Sequence, residues 1–246
     1  MKTVPRDADP ATKARAAFER NARSVIACHR CPDLREYIAQ VAHEKRRAYR
    51  DQTYWGKPVP ALGDPMARLL IVGLAPGAHG SNRTGRMFTG DASGRWLFRA
   101  LHRAGFANQP TWERPDDGLQ LTDCMITAAL RCAPPGNKPK PHQLATCSVH
   151  LAADFALVEP RLRVVVSLGA IGHRAAVKML ESRDWRFAKR PIFGHAAEHV
   201  ATREGRTLYV ICTYHPSQQN TSTKVLTEPM FDAVWTRARE LVDATL

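Results

Sequence analysis

Four of the six cysteines are spaced so that they could hold a metal centre. Cys28 and Cys31 form a CxxC pair, and Cys132 and Cys147 follow far downstream with fourteen residues between them. Four thiolates suit either a zinc ion or an iron–sulfur cluster. The spacing alone favours zinc, because a structural four-cysteine zinc site is the commoner outcome. The other two cysteines, Cys124 and Cys212, fall inside predicted strands and are expected to be small core residues.

A glycine-rich stretch after a short apolar run is the second candidate for chemistry. The run Leu69–Val72 predicts a strand buried on both faces, and Ala75-Pro76-Gly77 ends it. Polar residues and glycines then lead through Thr89-Gly90-Asp91 to a helical pattern from Ser93. This order places backbone N–H groups at the carboxyl edge of a parallel sheet, where ligands bind. Neither dinucleotide nor P-loop fingerprint is present, so a structural turn and a nucleotide-binding loop both stay open.

Polar loops follow two further predicted strands. The strand Cys124–Leu130 leads into a proline-rich loop that contains Gly136-Asn137, and the strand Leu208–Thr213 leads into His215-Pro216. A histidine before proline at a strand end is usually a turn residue, and an asparagine beside glycine is often chosen for a left-handed turn. The residue types alone therefore do not assign either side chain to a catalytic site.

The pattern of elements predicts how these loops are positioned. Four strands, including Val164–Leu168, alternate with helical patterns, which predicts a three-layer α/β/α fold with a central four-stranded parallel sheet. The loops after strands one, two and four must then emerge at one edge. Residues 1–246 are expected to form a single domain with a loosely ordered N-terminal tail over about residues 1–20, and a short hairpin is expected within residues 181–206.

The composition limits the classes of protein. Hydrophobic residues make up 44% of the 246 residues, enough for a core, and 36 Lys and Arg against 23 Asp and Glu give a formal charge of +13. Such an excess suits a polyanionic partner, although charge by itself does not separate DNA from RNA or acidic lipid. No apolar run is long enough to span a membrane, and the N-terminus lacks a signal-peptide core. We expect a cytoplasmic monomer with no membrane partner.

Two segments of the chain resemble one enzyme family. The segment GLAPGAHGSNRTGRMFTGD, from Gly73 to Asp91, is similar to the first motif of the family 5 (type b) uracil-DNA glycosylases, and HPSQQNT from His215 is similar to their second motif. The resemblance extends from Cys28 to about Thr227. It implies a uracil-DNA glycosylase-like fold and a monofunctional enzyme of base excision repair. Such an enzyme, a hydrolase of N-glycosyl bonds, flips uracil and other deaminated or damaged bases out of DNA and leaves an abasic site.

The resemblance also implies roles for individual residues. His215 would donate a hydrogen bond to the base as negative charge develops on it, Asn137 would read the base edge, and Asp91 would position the attacking water. Phe88 would stack on the extruded base. Asp91 is also a good helix N-cap, and Phe88 could simply anchor its loop. Further base and DNA contacts are expected from Ala75, Pro76, Gly77, His79, Ser217, Gln218, Gln219 and Asn220.

The resemblance reverses the choice of metal centre. Family members carry a [4Fe–4S] cluster on cysteines that match Cys28, Cys31, Cys132 and Cys147. This chain also shows the family 5 departures from the other families: Ala75 replaces a polar or acidic residue, and Thr127-Ala128-Ala129 replaces a strand-end asparagine. The loss of that asparagine would relax base discrimination.

Two other functions fit part of the sequence. A non-catalytic iron–sulfur protein could bind damaged or single-stranded nucleic acid with the same basic surface. A nucleotide-binding α/β enzyme could use Gly77–Gly85 as a phosphate cradle, although the lysine of a P-loop is missing. No lysine lies in the two motifs, which argues against an associated lyase step.

Overall fold

A computed structural model describes residues 9–244 and contains a seven-stranded mixed sheet. All four predicted strands are present and mutually parallel, in the order β3 (Cys124–Ala128), β2 (Leu69–Gly73), β4 (Val164–Leu168) and β7 (Arg206–Thr213). Three further strands extend this sheet in antiparallel orientation, namely β1 (Leu62–Gly63), which the sequence did not predict, and β6 (Glu198–Arg203) and β5 (Arg186–Phe187), which were expected only as a separate hairpin. The prediction of a sheet with only four strands was therefore wrong in strand number, because short or half-exposed edge strands lack a continuous apolar run.

A tight hairpin joins β6 to β7. Arg203 pairs with Arg206, so only Glu204 and Gly205 form the loop, and both have positive φ (50° and 76°). Two such residues make the type I′ turn, whose twist matches that of antiparallel strands. The expected hairpin within residues 181–206 thus exists as the β5–β6 pair, and β6 pairs further with β7.

Between residues 9 and 244, eight α-helices surround the sheet. They are α1 (Pro10–Ile26), α2 (Pro32–Glu44), α3 (Ser81–Thr84), α4 (Ala92–Arg103), α5 (Pro141–Val158), α6 (Gly169–Glu181), α7 (Gln218–Ser222) and α8 (Glu228–Asp243), with 3-10 turns at Arg47–Tyr49 and Pro135–Asn137. The helix α1 starts at residue 10, well before the predicted tail boundary near residue 20, and the first eight residues of that tail lie outside the described part of the chain.

Alternate residues of the central strands face two separate cores. Leu69 and Ile71 pack with α4 and α8, whereas Leu70 and Val72 pack with α5 and α6. All four side chains are fully buried. Burial on both faces explains why these strands are continuous apolar runs. The predicted three-layer α/β/α class is confirmed.

No helix between residues 9 and 244 combines the length and apolar character needed to cross a membrane.

A buried ion pair joins the end of β3 to α5. Arg131 and Asp154 are both about 1% exposed and form a direct salt bridge, and the Thr127 hydroxyl donates to Asp154 at 2.8 Å. The backbone carbonyl of Arg131 also accepts a hydrogen bond from the Val59 amide at 2.8 Å. These bonds fix the start of the loop that carries Cys132.

We expect Asp154→Ala to lower the free energy of unfolding by about 3–5 kcal/mol, because it leaves the Arg131 charge buried and unpaired. Urea unfolding followed by circular dichroism measures this. Glu19→Ala is the matched control, since Glu19 pairs with Arg23 at 4.0 Å on an exposed face and should contribute less than about 0.5 kcal/mol. Equal losses in the two variants would contradict a structural role for the buried pair.

Candidate active site

The ends of the parallel strands bring three polar loops to one edge of the sheet. Gly73 at the end of β2 pairs with Ala128 of β3, and Leu168 of β4 pairs with Thr213 of β7. The pairing continues beyond β3, where the Leu130 amide donates to the Leu74 carbonyl at 3.0 Å. The strand ends are therefore level, and the segments after β2, β3 and β7 begin side by side, as predicted.

Phe88 and His215, which come from different loops, stack on each other. Their ring centroids lie 6.0 Å apart and the ring planes meet at 27°. Phe88 is 8% exposed and has φ +54°, which is strained for an aromatic residue. Nearby glycines leave room for it: a Cβ on Gly94 would lie 1.8 Å from the Phe88 carbonyl oxygen, and one on Gly73 would lie 3.3 Å from its ring. The surrounding backbone therefore holds Phe88 in this conformation.

The protein keeps the His215 ring neutral. Removal of water by the surrounding chain lowers the pKa of His215 to about 4. The backbone carbonyl of His215 accepts hydrogen bonds from the Ser217 amide at 2.7 Å and the Asn220 side-chain amide at 2.8 Å. The ring can thus donate one N–H without carrying a charge, from a backbone that its own loop fixes.

Asp91 caps α4 and also faces the first glycine loop. Its Oδ1 accepts a hydrogen bond from the Gly94 amide at 3.1 Å, so Asp91 is the N-cap of α4, as the sequence suggested. Its Oδ2 lies against the loop, because a Cβ on Gly80 would be only 2.3 Å from it. Desolvation raises the pKa of Asp91, against the opposing effect of the Gly94 and Ser93 amides and of Arg83. One carboxylate oxygen is thus used by the helix, and the other points towards the motif.

A cavity of about 850 Å³ opens beside Asp91. Arg83, Arg95 and Trp112 are among its lining residues, whereas Phe88 and His215 are not. Asp91 therefore lies at the wall of a cavity that neither ring of the Phe88–His215 stack lines.

Trp112 and Arg83 hold the Asp91 region in place, and the sequence analysis did not identify either. The Trp112 indole donates to the Asp91 carbonyl at 3.0 Å, and the Arg83 guanidinium donates to the Gly90 carbonyl at 2.9 Å. Arg83 lies inside the first motif, so a cation in a glycine loop was an available signal. Trp112 lies in a segment without periodicity and gave none.

His79 is tied to a tyrosine from an earlier loop. The Tyr54 hydroxyl lies 3.1 Å from His79 Nδ1, and the rings meet edge to face with centroids 6.1 Å apart. Burial, together with Arg46 and Arg83, lowers the pKa of His79. The predicted contact of His79 with DNA or base stays a prediction, and the structure shows a loop-fixing contact for it.

The predicted DNA-inserting loop divides into two kinds of residue. Ser217 caps α7 by accepting from the Asn220 amide at 3.3 Å, and Asn220 also bonds the His215 carbonyl. Gln218 and Gln219 are exposed. Only the two glutamines therefore project from the loop, and Ser217 and Asn220 shape it.

Asn137 lies exposed on the loop after β3. Its φ is +57°, and that of the preceding Gly136 is +58°, so both residues occupy the left-handed region. The left-handed turn considered from the sequence is therefore present. The loop begins at the same sheet edge as the Phe88–His215 stack, which is compatible with a role for the amide in base recognition.

The four predicted cluster cysteines come together beside the first loop. Cys28, Cys31, Cys132 and Cys147 all line one small cavity. Ala75 and Ala78 pack against the same apolar cluster as Cys132, which also contains Leu34 and Ile38 of α2. Cys124 and Cys212 are fully buried in β3 and β7, where the sequence placed them.

Buried polar atoms surround this cavity without a partner. Burial raises the pKa of Cys132 to about 12 and that of Cys147 to about 11. Arg35 Nη1, Arg131 Nε and His150 Nε2 are buried, make no hydrogen bond within the described chain, and belong to side chains that line the cavity. The unpaired nitrogen atoms around the four cysteines fit an anionic group held by metal–thiolate bonds.

Comparisons with known proteins agree with this geometry. Residues 60–239 match the family model described as the uracil DNA glycosylase superfamily. The type-5 uracil-DNA glycosylase of Mycobacterium bovis is 46% identical over 217 residues, which cover 88% of this chain and 79% of that protein. The protein of the same description from Thermus thermophilus is 45% identical over 219 residues, or 89% and 95% of the two chains. A type-4 uracil-DNA glycosylase from Archaeoglobus fulgidus is 26% identical over 196 residues, or 79% of each chain.

A family model that spans most of the sequence and near-full-length relatives at more than 40% identity lead to one conclusion: this chain belongs to the uracil-DNA glycosylase superfamily, among its type-5 members.

Proposed function

We propose that the chain is a monofunctional DNA glycosylase that excises uracil, and other deaminated or damaged bases, and leaves an abasic site. The observation that carries the proposal is the stack of Phe88 against a neutral His215, next to the loop that faces Asp91. The type-5 relatives, which are named as uracil-DNA glycosylases, also support the proposal.

Each of these side chains has a distinct part in breaking the glycosidic bond. The departing base gathers negative charge while the sugar becomes oxocarbenium-like, so a donor to the base lowers the barrier. His215 donates as a neutral imidazole, which avoids protonating the base fully. The Phe88 ring offers a face on which an everted base stacks.

Asp91 would hold the nucleophilic water. Its Oδ1 accepts from the Gly94 amide, and its Oδ2, which lies against Gly80, would accept a hydrogen bond from the water. The cavity beside Asp91 would supply that water. A carboxylate in this position also stabilises the positive charge that develops on the sugar.

The end of β3 supports the proposal that the enzyme accepts a broad range of bases. Thr127 is fully buried, and its hydroxyl is engaged by Asp154 and Arg131. Ala128 offers no polar atom. A wrong base therefore leaves no buried polar group unpaired at this point, and discrimination against it is weak. Asn137 would then supply the remaining contact to the base edge.

DNA binding would combine charge with the exposed loop at α7. The formal charge of +13 favours the phosphate backbone, and Gln218 and Gln219 are free to fill the space left by the flipped base. Amide side chains can replace base contacts with hydrogen bonds. The chain would act as a monomer on DNA.

We further propose that Cys28, Cys31, Cys132 and Cys147 hold a [4Fe–4S] cluster. Among residues 9–244, only one group of three or more His, Cys or acidic side chains has its ligand atoms within 4.8 Å of one another, and that group contains none of these four cysteines. No three of the four sulfur atoms are therefore within 4.8 Å of one another. The sulfurs around a single tetrahedral zinc would lie about 3.8 Å apart. A [4Fe–4S] cluster, bound through one thiolate for each iron, would suit the wider spacing. When bound, it would tie α2 to the loops beside Ala75 and Asn137.

We expect His215→Ala and Asp91→Asn each to lower single-turnover excision by about 100-fold or more, with little change in DNA affinity. Asparagine can still cap α4, so Asp91→Asn removes the charge and keeps the cap. The assay uses a labelled duplex with one U:G pair, followed by alkaline cleavage of abasic sites.

Asp116→Asn is the matched control, because Asp116 is exposed and lines the same cavity as Asp91. It should retain wild-type excision. If the wild type retains the probe without strand scission, the chain is instead a non-catalytic binder of nucleic acid. If the wild type neither binds the duplex nor cleaves it, a nucleotide-binding function becomes the better interpretation.

We expect excision to be independent of His215 ionisation from neutral pH down to about pH 5, because its pKa is about 4. The raised pKa of Asp91 should instead set the acidic limb, as protonation removes the carboxylate. An NMR titration of the His215 ring, with free histidine in the same sample, checks the first point. A His215 midpoint equal to that of free histidine would contradict it.

The lowered pKa of His215 also makes the stability of the folded chain depend on pH. The unfolded chain binds a proton at His215 near the ordinary pKa of about 6.5, whereas the folded chain binds it only near about 4. His215 therefore adds nothing to the pH dependence above that range, and it makes folding less favourable as pH falls through it.

We expect Cys147→Ser to abolish the brown colour, the iron and the acid-labile sulfide of the purified protein, because a cluster ligand is lost. Cys124→Ala is the control, since Cys124 is buried in β3 away from this cavity. Zinc without iron or sulfide in the wild type purified without oxygen would contradict the cluster.

A further inference from the structure

A second group of side chains that could bind a metal lies around β7, the strand that precedes His215. His173, His199 and Cys212 come from α6, β6 and β7, and their ligand atoms all lie within 4.8 Å of one another. His173 and Cys212 are almost fully buried, at 3% and 0% exposure, and His199 is half-buried. None of the three lies in either family motif or in the four-cysteine cluster.

Hydrogen-bond contacts fix both imidazole rings of this group. His173 Nδ1 lies 3.2 Å from Cys212 Sγ, and His199 Nε2 lies 2.9 Å from the Ile192 carbonyl oxygen. A carbonyl can only accept, so His199 Nε2 carries the proton and His199 Nδ1 is left with a free lone pair. A histidine that donates one ring N–H to a backbone carbonyl while its other nitrogen ligates a metal is the usual arrangement in metal sites.

The two imidazoles are not fully paired. His173 Nε2 is buried and makes no hydrogen bond within the described chain. The rings of His173 and His199 lie 5.7 Å apart and are tilted by 40°, which leaves them unstacked.

We propose that His173, His199 and Cys212 bind a divalent transition metal ion, with Zn²⁺ as the natural occupant. Two imidazoles and one thiolate form the mixed N/S set that zinc prefers, and three protein ligands leave a fourth position for water on the half-exposed His199 side. Binding would release the Cys212 proton, because a coordinated thiol ionises.

A metal ion at this site would stabilise the position of the loop that carries His215. Cys212 lies three residues before His215 on the same chain segment, and α6 begins at Gly169, where an added Cβ would lie 3.4 Å from His215 Cβ. A metal ion would join α6, the edge strand β6 and the end of β7 at this point. Its role is structural positioning, since none of its ligands is placed on the base or the sugar.

Metal analysis of the full-length holoprotein, purified from zinc-supplemented medium, tests the proposal. We expect about one zinc per chain in the wild type, and its loss from His199→Ala and from Cys212→Ser. His195→Ala is the matched control: His195 is close in sequence and contacts Thr213, but it is outside the group, so it should keep the zinc. Cys147→Ser should also keep it, which separates this site from the four-cysteine cavity.

A cobalt titration of the wild type covers the case in which the variants fail to fold. Co²⁺ should give a thiolate charge-transfer band of single-thiolate intensity, and added Zn²⁺ should remove it. Absence of zinc together with absence of that band would overturn the proposal. Zinc that persists in both His199→Ala and Cys212→Ser would overturn it as well, and would leave a hydrogen-bonded core cluster.

Discussion

The level alignment of four parallel strands is the constraint on which the whole site depends. β2 is paired on both sides, with β3 and with β4, and its residues are buried throughout. A shift of its register by one residue would turn Ile71 and Val72 towards the wrong cores. The same shift would also move the first loop away from the loop that carries His215. Hydrophobic burial thus sets the positions of polar side chains that take no part in the core.

Tight packing around the site maintains a strained backbone conformation. Phe88 adopts a left-handed conformation that an aromatic residue rarely occupies, and Gly94 allows the α4 backbone to pass directly against its carbonyl. Gly80 does the same for the Asp91 carboxylate. Two glycines therefore allow close approach rather than flexibility. The aromatic ring and the carboxylate are pre-positioned, so little reorganisation is needed when a base enters.

Buried polar groups anchor the loops on either side of this stack. Arg131, Asp154 and Thr127 lock the end of β3 just before Cys132, while Arg83 and Trp112 hold the backbone around Asp91. Unlike the apolar core, these groups require specific partners, and a missing partner would leave a buried charge or donor unsatisfied. They explain why long loops without regular structure can carry an ordered site.

The sequence by itself determined the parts that depend on local pattern: the four apolar strands, their parallel arrangement, the three-layer class and the polar loops at one edge. Motif resemblance added Phe88, Asp91 and His215, which the structure places around one sheet edge.

Only the tertiary structure decided the rest. The strands β1, β5 and β6 join the sheet because a neighbouring strand pairs with them, and their own residues are too few or too exposed to predict that pairing. The structural duties of Ser217, Asn220 and Trp112 arise from contacts across loops. The grouping of His173, His199 and Cys212 arises because α6, β6 and β7 meet, although these residues are scattered along the chain. Spacing in sequence cannot reveal a contact that only the folding of distant segments creates.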